Sequence, residues 1–193
     1  MLTKRQSEIL GIMFGDGSLS KVGGSIQLTI TGHKVEDKEY LLTHVCPLLE
    51  QEFSIKLRVR HRPCEQTMDV YIYSKEVAMV LASWGMPLGL KNAGTLQPAV
   101  ELSKKEFVRG LFDTDGCIYR KYNNYKQVQF KGSSLTLIQY ANEALRNLGF
   151  RPSKITNDDT RYKFYLSRQN EVNLFFKSIA PANNKHLNRY KAI

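Results

Sequence analysis

Two dipeptides, Asp16-Gly17 and Asp115-Gly116, close the apolar runs ILGIMFGDG (residues 9–17) and FVRGLFDTDG (residues 107–116). In each run a glycine, Gly11 or Gly110, stands five residues before the aspartate, and the two aspartates are 99 residues apart. Both runs read as helices. A glycine inside a helix costs about 1 kcal/mol relative to alanine, so its recurrence at one register asks for a reason, and close approach of two helix backbones supplies one. If Gly11 faces Gly110, the helix ends meet and Asp16 comes beside Asp115. Two carboxylates so placed repel unless a proton or a cation lies between them. Oxygen ligands next to the partial negative charge of helix C-termini suit a hard divalent cation. A single Asp-Gly after a helix is an ordinary cap and turn; two in register imply a paired-carboxylate metal site. Asp113 has Phe14 at the corresponding place and is read as a cap or ion-pair partner.

The elements that position these residues form an internal repeat. Thr3-Lys4-Arg5-Gln6 and Ser103-Lys104-Lys105-Glu106 are capping-box sequences, and each opens one of the helices. After each Asp-Gly the sequence alternates at period two around a turn, at Gly23-Gly24 in residues 18–32 and at Asn123-Asn124 in residues 117–132. Helical patterns follow at 35–52 and 135–148, then strands at 57–60 with 70–73 and at 153–156 with 162–166. Helices at 75–83 and 170–179 close the two copies. The order α-β-β-α-β-β-α, twice, predicts an α+β fold of two halves, 1–84 and 103–193, joined by a turn-rich linker at 85–102. Leu90-Lys91-Asn92 faintly echoes Asn184-Lys185-His186 after the last helix of each copy, and no expectation is built on it.

Composition bounds the partner. The 193 residues carry a net charge of +10, with 11 basic against 10 acidic groups before residue 100 and 17 against 8 from there on. A polyanion is the natural partner, with the second half expected to grip it harder. No apolar run approaches the ~20 residues of a membrane span, and residues 1–10 lack the apolar core of a signal peptide, so an intracellular, cytoplasmic protein is expected. Cys46, Cys64 and Cys117 form an odd set without paired spacing and are read as reduced and structural.

The strands offer a surface for that partner. Ile26, Leu28 and Ile30 alternate with Gln27, Thr29 and Thr31, and Ile55, Leu57 and Val59 with Lys56, Arg58, Arg60 and Arg62. In the second half Val128 and Phe130 oppose Gln127, Gln129 and Lys131, while Tyr162, Phe164 and Leu166 oppose Arg161, Lys163 and Tyr165. One face of each strand is thus a core face, and the other carries the side chains that read base edges in a major groove.

On these motifs the chain resembles the LAGLIDADG homing endonucleases: residues 9–17 and 108–116 match the family's nine-residue motif, and the repeat extends the resemblance over essentially the whole chain. Two copies in under 200 residues resemble the compact single-chain, intron-encoded archaeal members. The resemblance implies two antiparallel four-stranded sheets forming a saddle on double-stranded DNA, with the motif helices at the central interface of a monomeric pseudo-dimer. It implies cleavage of both strands with Mg²⁺, with Mn²⁺ as a substitute and Ca²⁺ binding without cleavage, leaving 3′ overhangs in support of intron mobility. By motif position Asp16 and Asp115 are the metal ligands, helped by the carbonyls of Gly15 and Thr114. Basic residues near the attacking water are expected at the strand ends, where Lys34, His33 and Lys131 stand. Arg109, where the motif usually has a small residue, is expected to point outward. Relatives that act as RNA maturases on intron RNA, or bind nucleic acid without cutting, are the alternative, and a basic RNA-binding protein without enzymatic activity is a further rival.

Overall fold

A computed structural model describes residues 1–91, 96–122 and 125–192. The first half runs α1 (Lys4–Gly15), β1 (Gly17–Val22), β2 (Ser25–His33), α2 (Lys38–Tyr40), a π-helical turn (Leu41–Val45), α3 (Cys46–Phe53), β3 (Arg58–His61), β4 (Thr67–Tyr73) and α4 (Lys75–Ser83). The second runs α5 (Lys104–Asp115), β5 (Gly116–Tyr122), β6 (Tyr125–Gly132), α6 (Leu135–Asn147), β7 (Thr156–Asp158), β8 (Arg161–Leu166), α7 (Gln169–Ser178) and α8 (Asn184–Ala192). Each half folds its four strands into one sheet, in the orders β1-β2-β4-β3 and β5-β6-β8-β7, with every pair antiparallel. The α+β architecture with two four-stranded sheets is the expected one.

Alternation along the central strands divides each sheet into a core face and an open face. Leu28, Ile30, Met68 and Val70 point into the core of the first half, and Val128, Phe130, Phe164 and Leu166 into that of the second. The registers correspond: Ile30 lies opposite Val70, and Phe130 opposite Phe164. The open face of the first sheet carries Thr29 with Tyr71 and Thr31 with Asp69, and that of the second carries Gln129 with Tyr165 and Lys131 with Lys163.

Several local expectations give way to the structure. The helix expected over residues 35–52 starts at Lys38 and loosens into a π turn just before Pro47, whose ring cannot sit against the carbonyl four residues back. Val59, expected in the core, is 44% exposed because β3 is a four-residue edge strand. The strand expected at 153–156 starts only at Thr156, although Ser153 N–H already bonds to Tyr165 O at 2.8 Å. The capping box at Thr3 forms as expected, whereas Ser103 N–H is taken by Ser7 Oγ across the interface (2.9 Å) and Glu106 turns to the Ser103 hydroxyl instead. The turn expected at Asn123-Asn124 lies outside the described residues. Helix α8 was not anticipated.

Candidate functional site

The two motif helices, α1 and α5, pack along their length at the boundary between the halves. The glycines make this possible. A Cβ built on Gly11 would fall 2.2 Å from Phe107 O, and one on Gly110 would fall 2.3 Å from Glu8 O, so each glycine lies against the backbone of the facing helix. Around them pack Ile9, Ile12, Phe107, Val108 and Leu111, all buried, and Phe14 meets Phe107 edge to face with centroids 5.9 Å apart. The helices stay close to their ends, where a Cβ on Gly15 would strike the Thr114 side chain and come 3.6 Å from Asp115 Cγ. The glycines after the aspartates are sterically required too. A Cβ on Gly17 or Gly116 would meet Met13 Cα at 2.6 Å or Phe112 O at 2.6 Å as β1 and β5 turn back along their helices.

One ion pair reinforces the interface at its far end. Arg109, expected to point outward, reaches across from α5 to Glu8 of α1, with Nε donating to Oε1 at 2.9 Å and Nη2 to Oε2. Glu8 Oε1 also lies 2.7 Å from His44 Nε2, whose ring stacks on Tyr40. These partners hold the buried Glu8 carboxyl below its usual range against the effect of burial.

At the near end Asp16 and Asp115 stand at the ends of the two helices, near enough for the Asp115 charge to act on Asp16. Burial and then the Asp115 charge push the Asp16 carboxyl up to about 7. Surrounding protein mass also raises Asp115, although its side chain remains open to solvent, and Lys91, Arg161 and Lys185 oppose the shift. Among the described residues no group of three His, Cys, Asp or Glu side chains is placed to hold a metal. Asp37 also acts on Asp16 through its charge, but its own carboxylate is engaged by Lys185 and Asn183.

Two lysines that carried no expectation stand beside Asp16 and Asp115. Lys91 Nζ donates to Phe14 O at 2.9 Å and to Gly15 O, and its charge acts on both aspartates. The Gly15 carbonyl, an expected metal helper, is thus engaged by an ammonium. Lys185 Nζ lies 2.8 Å from Asp37 Oδ1, and its charge also lowers the pKa of both Asp16 and Asp115. Lys91 follows α4 and Lys185 follows α7, so the repeat delivers one lysine from each half. A pocket of about 120 Å³ opens next to them, lined in part by Gly15, Lys91, Asp115, Ser133 and Ser134.

Lys185 is positioned by a buried network. Asp113 Oδ2 and Oδ1 accept the backbone N–H groups of Ala182 (2.9 Å) and Asn183 (3.1 Å) immediately before α8. Asn183 Nδ2 donates to Asp37 Oδ1 at 2.8 Å and to Asp113 O at 3.0 Å. His186, fully buried against Phe112, keeps its imidazole far below its usual pKa, at about 3. Asp113 is thus a cap for the C-terminal segment, and through it the second half crosses to Asp37 of the first.

The strand-end candidates have partners of their own. Lys131 Nζ is 2.7 Å from Asp158 Oδ2 on the open face of the second sheet. Lys34 follows β2, its N–H bonded to Gln66 O, and the His33 ring accepts the N–H groups of Val35 and Glu36. The strand residues expected to meet a polyanion, Gln27, Thr29, Arg58, Arg60, Gln127, Gln129, Lys163 and Tyr165, all sit on the sheet faces turned away from the core, but Gln27, Thr29 and Gln127 are buried there by their neighbours. Lys56 precedes β3 and pairs with Glu50 at 3.1 Å.

Fold and site together define a class of protein: a pseudo-twofold pair of αββαββα halves that meet through glycine-packed helices ending in paired aspartates. Residues 103–179 match the family model described as LAGLIDADG-like domain. Among solved structures, I-DmoI in complex with DNA and Mn superposes with TM-score 0.64 at 19% identity, covering 91% of this chain and 96% of that one. The I-LtrWI LAGLIDADG homing endonuclease bound to target DNA superposes with TM-score 0.63 at 15% identity, covering 96% and 87%. The resemblance carried by the two motifs is therefore shown: the second half holds a LAGLIDADG-like domain, and the whole chain has the LAGLIDADG homing endonuclease fold. Two curated relatives are each 32% identical: the replication factor C small subunit of Methanocaldococcus jannaschii over 130 residues and the tRNA-splicing ligase RtcB of Pyrococcus abyssi over 145. These alignments cover 61% and 66% of this chain but only 7% and 14% of the relatives.

Proposed function

We propose that the protein is a site-specific DNA endonuclease of the homing type, which hydrolyses one phosphodiester bond in each strand of a long duplex target and leaves 3′ overhangs. The observation that carries this reading is the meeting of Asp16 and Asp115 at the end of the glycine-packed helices, with one lysine from each half beside them. Solved structures of the same fold contain DNA with manganese or calcium, which supports DNA as the partner and a divalent cation as the cofactor. The reading extends to Asp16 and Asp115 as the ligands of that cation, to a monomer as the active form and to intron mobility as the outcome.

The residues fit such a cation. Two carboxylates whose shared charge is unfavourable, with no third acidic or imidazole side chain placed to join them among the described residues, suit an ion that completes its shell with water and phosphate oxygens. Magnesium has that habit; zinc, with its preference for nitrogen and sulfur, does not. When bound, the cation lowers the pKa of an attacking water and offsets charge on the phosphate. Asp16 and Asp115 would hold it in their ionised forms, one carboxylate from each half. Lys91 and Lys185 each set a positive charge beside one strand, where it stabilises the phosphate as its charge grows and the 3′ oxygen departs. No side chain need form a covalent bond with the substrate.

The test is cleavage of a plasmid carrying the uninterrupted sequence of the gene's own insertion junction, in Mg²⁺ or EDTA. A linear product in Mg²⁺ alone is expected. Binding that is lost steeply with salt, without a metal-dependent cut, would sink the nuclease reading and leave a non-cleaving nucleic-acid-binding protein.

A further inference from the structure

The open face of the first sheet contains a carboxylate where a surface for polyanions should have none. Asp69, in the middle of β4, is fully buried. Its oxygens accept from Arg60 Nε (3.2 Å) and Nη2 (2.7 Å), from Arg62 Nε (3.0 Å) and Nη2 (3.0 Å), and from Thr31 Oγ1 (2.8 Å). An acid there weakens non-specific attraction for phosphate, so its use lies in what it fixes. The Arg60 guanidinium also lies over the Tyr71 ring at 4.9 Å, and the side chain remains 45% exposed. With Nε and one side of Nη2 committed to Asp69, the Nη1–Nη2 edge, with its two parallel N–H groups, is left uncommitted on a half-exposed side chain. That edge matches O6 and N7 of guanine, and its rotamer entropy has been lost before any ligand arrives. Arg62 is more fully spent, its Nη2 reaching Thr31 Oγ1 and its Nη1 reaching Glu65 at 3.5 Å. It completes the clamp.

The second sheet is wired differently at the same ladder positions. Where β4 has Asp69, β8 has Lys163; where β2 has Thr31, β6 has Lys131. Both ammonium groups converge on Asp158 of the short edge strand, at 2.9 and 2.7 Å. A lysine is a compact point charge with rotatable donors and imposes no planar geometry on its partner. The amides that could read adenine are occupied within the sheet. Gln127 accepts from Tyr119 OH (2.7 Å) and donates to Ser167 Oγ (2.5 Å), and Gln129 accepts from Cys117 Sγ (3.2 Å) and donates to Tyr165 OH (3.3 Å). The corresponding Gln27 of the first sheet has an Nε2 that is buried and without a partner among the described residues, so it is no free reader either.

We infer that the two sheets divide the recognition of duplex DNA: the first reads base sequence, with Arg60 held by Asp69 as a guanine reader, and the second holds the phosphate backbone through Lys131 and Lys163. The inference rests on the proposed DNA binding and adds which half carries the sequence information. The distribution of charge agrees, since the excess of basic residues lies almost wholly in the second half.

The experiment is selection from a random-sequence duplex DNA library in EDTA, so that no strand is cut. The unaltered protein is expected to enrich a guanine at a fixed place in one half-site. Arg60→Lys keeps the charge and loses the planar edge, so the preference for that guanine should fall about tenfold or more while the salt dependence stays the same. Asp69→Asn should blur the same position. Lys131→Met and Lys163→Met should weaken all sequences alike and lower the salt slope by about one each. An unchanged guanine preference in Arg60→Lys overturns the inference while DNA binding stands, as does a Lys163→Met variant that changes the selected sequence. Failure of the unaltered protein to retain any DNA at low salt removes both readings.

Discussion

The two halves share a chain path and differ in almost everything that fills it. Where the first half packs Met13, Ile30, Val70 and Leu81, the second packs Phe112, Phe130, Phe164 and Phe175 at the corresponding places, with Phe130 and Phe164 stacked at 5.0 Å. Apolarity is kept at each of these core positions while volume and shape are not, so each half packs its own core under a shared hydrophobic pattern. At the boundary between the halves the residue types themselves repeat: glycine against backbone, aspartate at the helix end, lysine from the segment after the last strand-flanking helix. The difference follows from geometry. Near the pseudo-twofold axis Gly11 and Gly110, each against the backbone of the facing helix, and Asp16 and Asp115 at the helix ends experience equivalent surroundings, so what one half requires there the other requires too. The Glu8–Arg109 pair, with Phe107 and Leu10 at the corresponding places, does not repeat. Residues far from the axis face different neighbours, and on the sheets different segments of any ligand.

The largest test of that distinction is at the axis. Asp16→Asn and Asp115→Asn should each lower cleavage about a thousandfold, and equally for both strands, because a divalent cation between carboxylates supplies several kcal/mol of charge stabilisation. Lys91→Met and Lys185→Met should instead slow one strand each, so that nicked circles accumulate from supercoiled plasmid. Loss of both strands together in a lysine variant would break the assignment of one lysine per half. Next in size is the glycine contact. Gly11→Val and Gly110→Val place atoms where Phe107 O and Glu8 O already stand and should each cost about 3 kcal/mol in urea unfolding. Gly24→Ala, with no atom within 4 Å of its new Cβ, should cost under about 1 kcal/mol. Comparable losses at all three would mean that the helix crossing does not depend on backbone contact.

What the sequence disclosed follows the same geometry. Period-two alternation revealed the strands and the core face, and the double Asp-Gly motif with its glycine revealed which helices meet, because both are local patterns stated twice. Lys91 and Lys185 lie in segments without periodicity, and only the folded chain brings them to the aspartates; their one signal was their shared position after the last helix of each copy. Helix α8 is mostly polar, and the two residues before it donate their N–H groups to Asp113, 69 positions before Ala182, while His186, Leu187 and Tyr190 pack inward. The direction of Arg109 followed from Glu8 on the other helix, a pairing that requires knowing how the two helices cross. The open faces were legible as faces. Whether a glutamine on them is spent or unspent depends on cross-strand neighbours such as Tyr119 and Ser167, which become adjacent only once register is set.

The smallest effect concerns the cost of holding acids at the axis. Asp16 and Asp113 both have carboxyls raised by burial to about 7, one in each half, from an ordinary 3.8. Between those values the folded protein binds protons that the unfolded chain has released. Without divalent cations stability should therefore fall as pH rises from about 4 through 7 and level off above. Asp16→Asn removes one of the two groups, so at pH 8 it should melt higher than the unaltered protein, by about 1 kcal/mol of stability since the carboxyl keeps some access to water. At pH 4, where Asp16 is protonated in the folded state, the difference should shrink toward zero. Adding Mg²⁺ at pH 8 should raise the melting temperature of the unaltered protein and leave that of Asp16→Asn nearly still, because only the former gains a ligand that the unfolded chain does not bind. A variant that melts lower than the parent at every pH would show that Asp16 is held by partners that offset its burial, and that the axis carries no stored repulsion for a cation to relieve.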